Sequence, residues 1–214
     1  DLNRLEEARI AADRARALGV GAKALSEIWK AINRKSSDQT VSQWSEVPED
    51  HLRVLTDHYS QGRLHESSDL AKKLLETYPD SQTLHNVRGA SLANLKQFDD
   101  ARDAFQKLLE IRPNDFNAHN NLGNVLKELG DLKQSIDSYR RAVEINPKYA
   151  EAHNNLGILL KNHRKDFDGA EAAYRRAIEV DPNHALAHNN LGNLLMNHRE
   201  DFDGAEAAYR CAIE

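Results

Sequence analysis

The sequence predicts an all-α fold, an α-solenoid built from stacked antiparallel helical hairpins. Two observations predict it: a segment of 34 or 35 residues recurs along the chain, and apolar residues within each copy recur at spacings of three and four. The clearest copies start at Ala118, Ala152 and Ala187. One amphipathic hairpin cannot bury its own apolar stripe, but stacked hairpins bury one another's, so the period determines the architecture.

The copies divide the chain into five units. Residues 150–179 and 185–214 are identical at 25 of 30 positions, and they differ at Glu151/Leu186, Ile158/Asn193, Lys161/Met196, Lys165/Glu200 and Arg176/Cys211. Earlier copies keep the frame with less fidelity. We therefore expect units at 48–81, 82–115, 116–149, 150–184 and 185–214, the fourth with a one-residue insertion and the fifth truncated. Residues 1–47 do not follow the repeat pattern and are predicted to form capping helices followed by a loop anchored by Trp44.

Each unit contains two amphipathic helices separated by a turn. In the third unit, Gly130 is expected to end the first helix and Asp131 to cap the second, while Pro147 stops the second helix. The last two units carry one extra residue in NHRKDFDG and NHREDFDG, which predicts a longer turn with Asp166 and Asp201 as helix caps.

The composition narrows the classes of function. With 29% charged residues and a net charge of -5, the chain lacks the basic footprint of a nucleic-acid or membrane-surface protein. It has one cysteine, Cys211, and no apolar run of about 18 residues, so a soluble, reducing compartment such as the cytoplasm is the default expectation. Both ends of the sequence resemble cut ends. We find no acid pair, activated nucleophile, phosphate loop or metal spacing, and so predict no enzyme activity, metal or cofactor.

The repeat resembles the tetratricopeptide repeat over residues 48–214. The signature positions hold Leu122, Gly123, Tyr139, Ala142 and Pro147. The resemblance implies a right-handed superhelix whose concave face is lined by the first helix of each unit, and a protein that binds other proteins. The first unit departs from the signature with Leu55 in place of glycine and Ser67 in place of alanine, and the second has Arg88 in place of leucine.

Asparagines recur in register on the first helices. The candidate peptide-binding residues are Asn120, Asn154 and Asn189 at one position, Asn121, Asn155 and Asn190 at the next, and Asn124 and Asn193. An amide group offers an acceptor and two donors, so such a row can pair with an extended peptide backbone without reading its side chains. An alternative is that these amides merely cap or solvate the helices.

The asparagine row resembles that of the repeat domain of O-linked N-acetylglucosamine transferases, which implies backbone contacts for Asn121, Asn155 and Asn190. Val87 at the matching place predicts that the row weakens towards the N-terminus. Ile158, Leu186 and Met196 are expected to add apolar selectivity. Family members that clamp a C-terminal carboxylate carry lysine on these helices, where this chain has Asn86, Asn120, Asn154 and Asn189, so acidic chaperone tails are disfavoured partners.

Histidines also recur in register, at His51, His85, His119, His153 and His188. Neighbouring helices lie about 10 Å apart, whereas metal–ligand bonds are about 2 Å long, so these residues cannot share one metal. We predict a packing role instead.

Three interpretations of function remain open. The first is a scaffold that binds an extended peptide. The second is the substrate-recruiting arm of a larger glycosyltransferase- or sulfotransferase-like enzyme. The third is self-assembly into a homo-oligomer through an open C-terminal repeat, with Leu191, Leu195, Ala205 and Tyr209 expected to face solvent.

Overall fold

A computed structural model describes residues 47–213 of the 214-residue chain. The helices and the Trp44 loop predicted before residue 47 lie outside the described residues. Within residues 47–213 there are ten α-helices and no β-strand, which confirms the predicted all-α fold. The helices are α1 Glu49–Ser60, α2 Leu64–Leu75, α3 Gln82–Asn94, α4 Phe98–Ile111, α5 Phe116–Leu129, α6 Leu132–Ile145, α7 Ala150–Leu159, α8 Phe167–Val180, α9 Ala185–Leu194 and α10 Phe202–Ile213. None of these ten has the length and apolar character needed to cross a membrane.

The described residues divide into two compact units, 47–87 and 88–213, with the boundary inside α3. In the described part of the first unit, α1 packs against α2. The buried cluster there comprises Val47, Leu55, Ala71, Leu74 and Leu84.

In the second unit each helix from α4 onwards packs against the next one along the chain, and α7 also contacts α9. Helices α5/α6, α7/α8 and α9/α10 are therefore antiparallel hairpins stacked in sequence order. One buried cluster, which includes Leu156, Leu160, Leu191 and Leu195, continues through all three hairpins. The predicted solenoid of stacked hairpins is confirmed.

In the four later repeats, a glycine on the first helix allows an aromatic ring of the second helix to pack against the backbone. A Cβ added at Gly123 would lie 2.7 Å from the Tyr139 ring, and one added at Gly157 would lie 2.6 Å from the Tyr174 ring. Real Cβ atoms do not approach this closely, so only glycine fits while the ring keeps its place. The two hairpin helices are thus held at close range by a glycine–tyrosine pair.

The first repeat, at 48–81, reverses this pairing of small and large residues. Leu55 takes the place of the glycine and Ala71 the place of the aromatic residue, and both are completely buried in one cluster. The Ser67 hydroxyl, which stands where the signature has alanine, donates to the Leu55 carbonyl oxygen at 3.4 Å. The departures from the signature therefore preserve buried volume and leave no hydroxyl unpaired.

The turn prediction for the α5/α6 hairpin is confirmed at Gly130 and differs at Asp131. Gly130 ends α5 in the left-handed conformation, with φ 84°, which glycine adopts without steric cost. Asp131 precedes α6 but caps no backbone N–H; its carboxylate accepts instead from the Gln134 side chain at 3.4 Å. Asp166 and Asp201 do cap their helices, accepting from the N–H groups of Gly169 and Gly204 at 2.9 Å.

The extra residue of the last two hairpins does not lengthen the turn as predicted. It widens the end of the first helix into a π-helical turn, at Leu160–Arg164 and again at Leu195–Arg199. Lys165 and Glu200 then leave the helix in the left-handed conformation, both with φ 56°. A π-helical turn takes up one residue while keeping most backbone hydrogen bonds, so the hairpin geometry survives the insertion.

The residues expected to form an open self-association face are placed differently. Leu191, Leu195 and Ala205 are buried within the last hairpin and against the one before it, and Tyr209 is half-buried. The expectation that these four side chains face solvent is therefore wrong. The large apolar side chains that the last hairpin does expose are Leu186, Met196 and Phe202.

Candidate functional site

Six side chains on the first helices of the last three repeats form a half-buried surface that we call the first-helix face. Each of α5, α7 and α9 contributes two of them, one turn apart. The residues are Asn121 and Asn124, Asn155 and Ile158, and Asn190 and Asn193. Five of the six side chains are amides, and their placement in register follows from the 34- and 35-residue repeat.

The preceding asparagine of each pair has a different environment. Asn120 is only 1% exposed and Asn154 only 3%, because each is covered by the hairpin that follows it, whereas Asn189 is exposed. The Asn120 amide donates to the Tyr149 hydroxyl at 3.3 Å and to the Glu151 carboxylate at 3.4 Å. Asn120 and Asn154 thus lie between hairpins and not on the open face.

Amide–amide hydrogen bonds join the two kinds of asparagine across the repeats. Asn155 Nδ2 donates to Asn120 Oδ1 at 3.3 Å and to Asn124 Oδ1 at 3.4 Å. Asn190 Nδ2 donates to Asn154 Oδ1 at 2.9 Å. The amide nitrogens of Asn155 and Asn190 therefore point towards the preceding hairpin, and each side chain is fixed in orientation before any ligand arrives.

The same face includes a second set of hydrogen bonds, from tyrosines of the second helices. The Tyr139 hydroxyl donates to Asn124 Oδ1 at 2.6 Å, and the Tyr209 hydroxyl donates to Asn193 Oδ1 at 3.0 Å. In the intervening hairpin Ile158 occupies the asparagine position, and the buried Tyr174 hydroxyl has no hydrogen-bond partner within residues 47–213. Burial raises the pKa of the Tyr174 hydroxyl to about 12.

The histidine register braces the connections between hairpins. Four histidine Nε2 atoms lie 2.8 to 3.0 Å from the carbonyl oxygen of the proline six residues earlier, in the pairs His85/Pro79, His119/Pro113, His153/Pro147 and His188/Pro182. Because a carbonyl oxygen only accepts, Nε2 must carry the proton in each pair. This arrangement agrees with a packing role. Within the described residues no group of three or more His, Cys, Asp or Glu side chains is arranged to hold a metal.

The bracing by His153 predicts a pH dependence of stability. Burial lowers the pKa of His153 and nearby Arg176 lowers it further, against the opposing effect of the Pro147 carbonyl. A histidine pKa that is lower in the folded state than in the unfolded state favours the folded protein while the ring is neutral. We expect the free energy of unfolding to fall as the pH drops below about 6.5, the usual histidine pKa.

His153→Gln tests this expectation, since the glutamine amide can still donate to the Pro147 carbonyl but does not titrate. Denaturant unfolding of both proteins, measured above and below the histidine pKa, should show a smaller loss of stability on acidification in the variant. His65→Gln, at an exposed position on α2, is the matched control. An unchanged pH dependence in His153→Gln would contradict the assignment.

The π-helical turn of the last hairpin contacts the hairpin before it. His198 stacks on Phe167 with ring centroids 4.1 Å apart, and Arg199 pairs with Asp168 and with Glu171. The equivalent turn one hairpin earlier has His163 and Arg164, but Leu132 and Lys133 stand where the aromatic and acidic partners would be. The π-helical turn of the last hairpin therefore helps to hold the last two hairpins together, which is more than the loop role predicted for it.

Sequence reasoning located the asparagines but missed their division into buried and half-buried rows. It also missed the histidine–proline contacts, although the sequence contains their signal, a constant spacing of six residues in four successive repeats. The asparagine–tyrosine bonds likewise have a regular spacing, 15 residues for Asn124 and Tyr139 and 16 for Asn193 and Tyr209.

Comparison with known proteins identifies the repeat. A family profile described as TPR repeat matches residues 89–130 and 123–163, and a second, described as tetratricopeptide repeat, matches residues 162–214. A search of curated proteins returns no match.

Three solved structures illustrate the similarity of fold. MamA from Desulfovibrio magneticus RS-1 is 22% identical over 77% of this chain and 92% of its own, with a TM-score of 0.68. YrrB, described as a TPR protein with an unusual peptide-binding site, is 24% identical over 80% of this chain and 87% of its own, with a TM-score of 0.63. PilF of Pseudomonas aeruginosa is 17% identical over 77% of this chain and 74% of its own, with a TM-score of 0.70.

Proteins built from this repeat generally act as protein-interaction scaffolds and are typically non-catalytic. The two profiles cover residues 89–214 without a break, which is more than half of the 214 residues. With the hairpin stacking and the glycine–tyrosine pairs described above, they show that the chain belongs to the tetratricopeptide repeat family.

Proposed function

We propose that this protein is a non-catalytic scaffold that binds an extended peptide segment along the first-helix face. The observation that carries the proposal is the fixed orientation of Asn155 and Asn190, whose nitrogens donate to the preceding hairpin. Their Oδ1 atoms accept no hydrogen bond within the described residues and remain available to a ligand N–H. Asn121 makes no side-chain hydrogen bond there either, so its whole amide is available.

Preorganisation favours this use of the amides. A side chain already held by a neighbour loses little rotamer freedom on binding, so more of the free energy of each new hydrogen bond contributes to affinity. Asn120 and Asn154 supply this support from their buried positions. Amides on successive first helices are about one helix spacing apart, roughly 10 Å. An extended peptide covers that distance in about three residues.

The amide bonds alone do not account for useful affinity. At about 0.5–1.5 kcal/mol net per hydrogen bond, three amides contribute less than the roughly 8 kcal/mol of micromolar binding. Apolar contacts must provide the remainder, and Ile158, Leu186 and Met196 are the apolar side chains beside the amide row. The fold is shared with YrrB, whose description names a peptide-binding site, and this is compatible with the same class of ligand.

The triple variant Asn121→Ala/Asn155→Ala/Asn190→Ala tests the proposal against a library of randomised 12-residue peptides. We expect the wild type to retain peptides and the triple variant to bind the same peptides at least tenfold more weakly, since it lacks three amide contacts. Affinity is measured by fluorescence anisotropy with labelled peptides taken from the wild-type selection.

The matched control is Asn120→Ala/Asn154→Ala, which removes the buried amides that stack the hairpins but none of the open ones. Far-UV circular dichroism and thermal unfolding of all three proteins separate loss of structure from loss of binding. Equal affinity in the wild type and the triple variant would contradict the proposal. The control also removes the support of Asn155 and Asn190, so we expect it to bind more weakly than the wild type but more tightly than the triple variant; an equal loss in both would contradict a direct contribution of the open amides.

A further inference from the structure

The amide row is interrupted at one place by an apolar side chain. Ile158 occupies the position that Asn124 and Asn193 occupy on the neighbouring first helices, and it is half-buried on the open face. Exposed apolar side chains also occur on the next hairpin: Leu186 at the start of α9 is 65% exposed, and Met196 in the following π-helical turn is 39% exposed. Apolar side chains therefore lie among the amides from α7 onwards, beginning with Ile158.

Ile158 packs against the buried cluster of the last three hairpins, but it leaves the tyrosine hydroxyl beneath it without a partner. In the hairpins on either side, an asparagine at this position accepts the hydroxyl hydrogen of the tyrosine beneath it. Beneath Ile158 the Tyr174 hydroxyl is buried without a partner. A buried hydroxyl without a partner disfavours the folded state, so isoleucine at this open surface has a cost that contact with a bound segment would offset.

A basic side chain lies one helical turn from Ile158. Lys161 is half-buried and forms no ion pair within residues 47–213, whereas its equivalent Lys127 has a carboxylate oxygen of Glu128 at 3.5 Å. Met196 is the equivalent residue on the last hairpin. Lys161 therefore presents a positive charge next to Ile158, and no acidic side chain of the described residues pairs with it.

We propose that the bound segment has an apolar side chain received by Ile158 and an acidic side chain two residues away received by Lys161. In an extended chain, side chains two residues apart project from the same face about 6.6 Å from each other. Residues three apart on an α-helix have Cβ atoms about 5–6 Å apart, and Lys161 is the second residue of the π-helical turn that continues α7, so the two spacings are comparable. This inference rests on the peptide-binding function proposed above and adds the residues that determine specificity.

The test uses the intact protein and a positional-scanning library of 12-residue peptides. Ile158→Asn introduces the residue found at the same position in both neighbouring hairpins, and it supplies a partner for the Tyr174 hydroxyl. Lys161→Met introduces the residue found in the last hairpin. Both substitutions copy the protein's own repeats, so the fold is expected to persist; thermal unfolding of each variant checks this.

We expect the wild type to select peptides with an apolar residue and an acidic residue two positions apart. Ile158→Asn should lose the apolar preference and bind the selected peptides roughly tenfold more weakly, while retaining the acidic preference. Lys161→Met should lose only the acidic preference, and raising the salt concentration should weaken binding of the wild type more than of this variant.

Selection of peptides without this pair, or unchanged preferences in both variants, would overturn the inference. If the triple asparagine variant loses binding in that case, the peptide-binding function stands and only the specificity assignment fails. If the wild type retains no peptide from the library, the peptide-binding function and the specificity assignment are both contradicted.

Discussion

Replacement of Gly157 by alanine is expected to destabilise the protein by about 1–3 kcal/mol. The new Cβ would lie 2.6 Å from the Tyr174 ring, which is completely buried, so the ring or its neighbours must shift. Alanine favours a helix over glycine by up to about 1 kcal/mol, so the observed loss is the steric cost less this gain. Denaturant unfolding followed by far-UV circular dichroism measures the change.

A double-mutant cycle identifies the cause. The first repeat, at 48–81, shows that leucine on the first helix is compatible with alanine on the second, as in the buried pair Leu55 and Ala71. We therefore expect Gly157→Leu and Tyr174→Ala each to destabilise strongly, and the double variant to be more stable than the sum of the two effects predicts by at least about 1 kcal/mol. Simple additivity would show that the glycine–tyrosine contact does not limit packing.

The architecture could be predicted from the sequence because it follows from properties that repeat. Helix type, hairpin pairing and the stop at Gly130 depend on apolar spacing and on local backbone preferences, which are visible in any one unit. The solenoid follows from the period, since neighbouring hairpins must cover one another's apolar stripes.

The environment of each asparagine could not be predicted in the same way. Asn154 and Asn189 have identical flanking residues from the preceding alanine–histidine pair to the following Asn-Leu-Gly, yet the first is buried and the second is exposed. The difference arises because a further hairpin covers Asn154. Burial of a repeated polar residue is thus a property of its neighbours in space, which local sequence does not contain.

The one-residue insertion exposes a similar limit. Its sequence, rich in polar residues and ending at a capping aspartate, is typical of a loop, and the cap at Asp166 is present. The extra residue nevertheless enters the helix, because Leu160 remains buried in the core and the chain keeps it there by widening one turn. Tertiary packing therefore outweighed the local preference for a longer turn.

Replacement of Tyr174 by phenylalanine is expected to stabilise the protein by about 1–2 kcal/mol. The variant keeps the ring that fills the space beside Gly157 and removes only a hydroxyl that is buried without a partner. The cost of such an unsatisfied group, about 1–3 kcal/mol, disappears with it, and the exposure of apolar surface does not change. Thermal and denaturant unfolding at neutral pH measure the gain.

Tyr139→Phe is the matched control, because the ring, its burial and its glycine partner are the same but its hydroxyl donates to Asn124 at 2.6 Å. Loss of that bond should destabilise the protein by about 0.5–1.5 kcal/mol, so the two tyrosine substitutions should have opposite signs. Opposite signs at positions with nearly the same packing isolate residue 158 as the cause, since isoleucine there leaves the hydroxyl unpaired. Ile158→Asn should then turn Tyr174→Phe from stabilising to destabilising, and the same sign in both backgrounds would contradict this explanation.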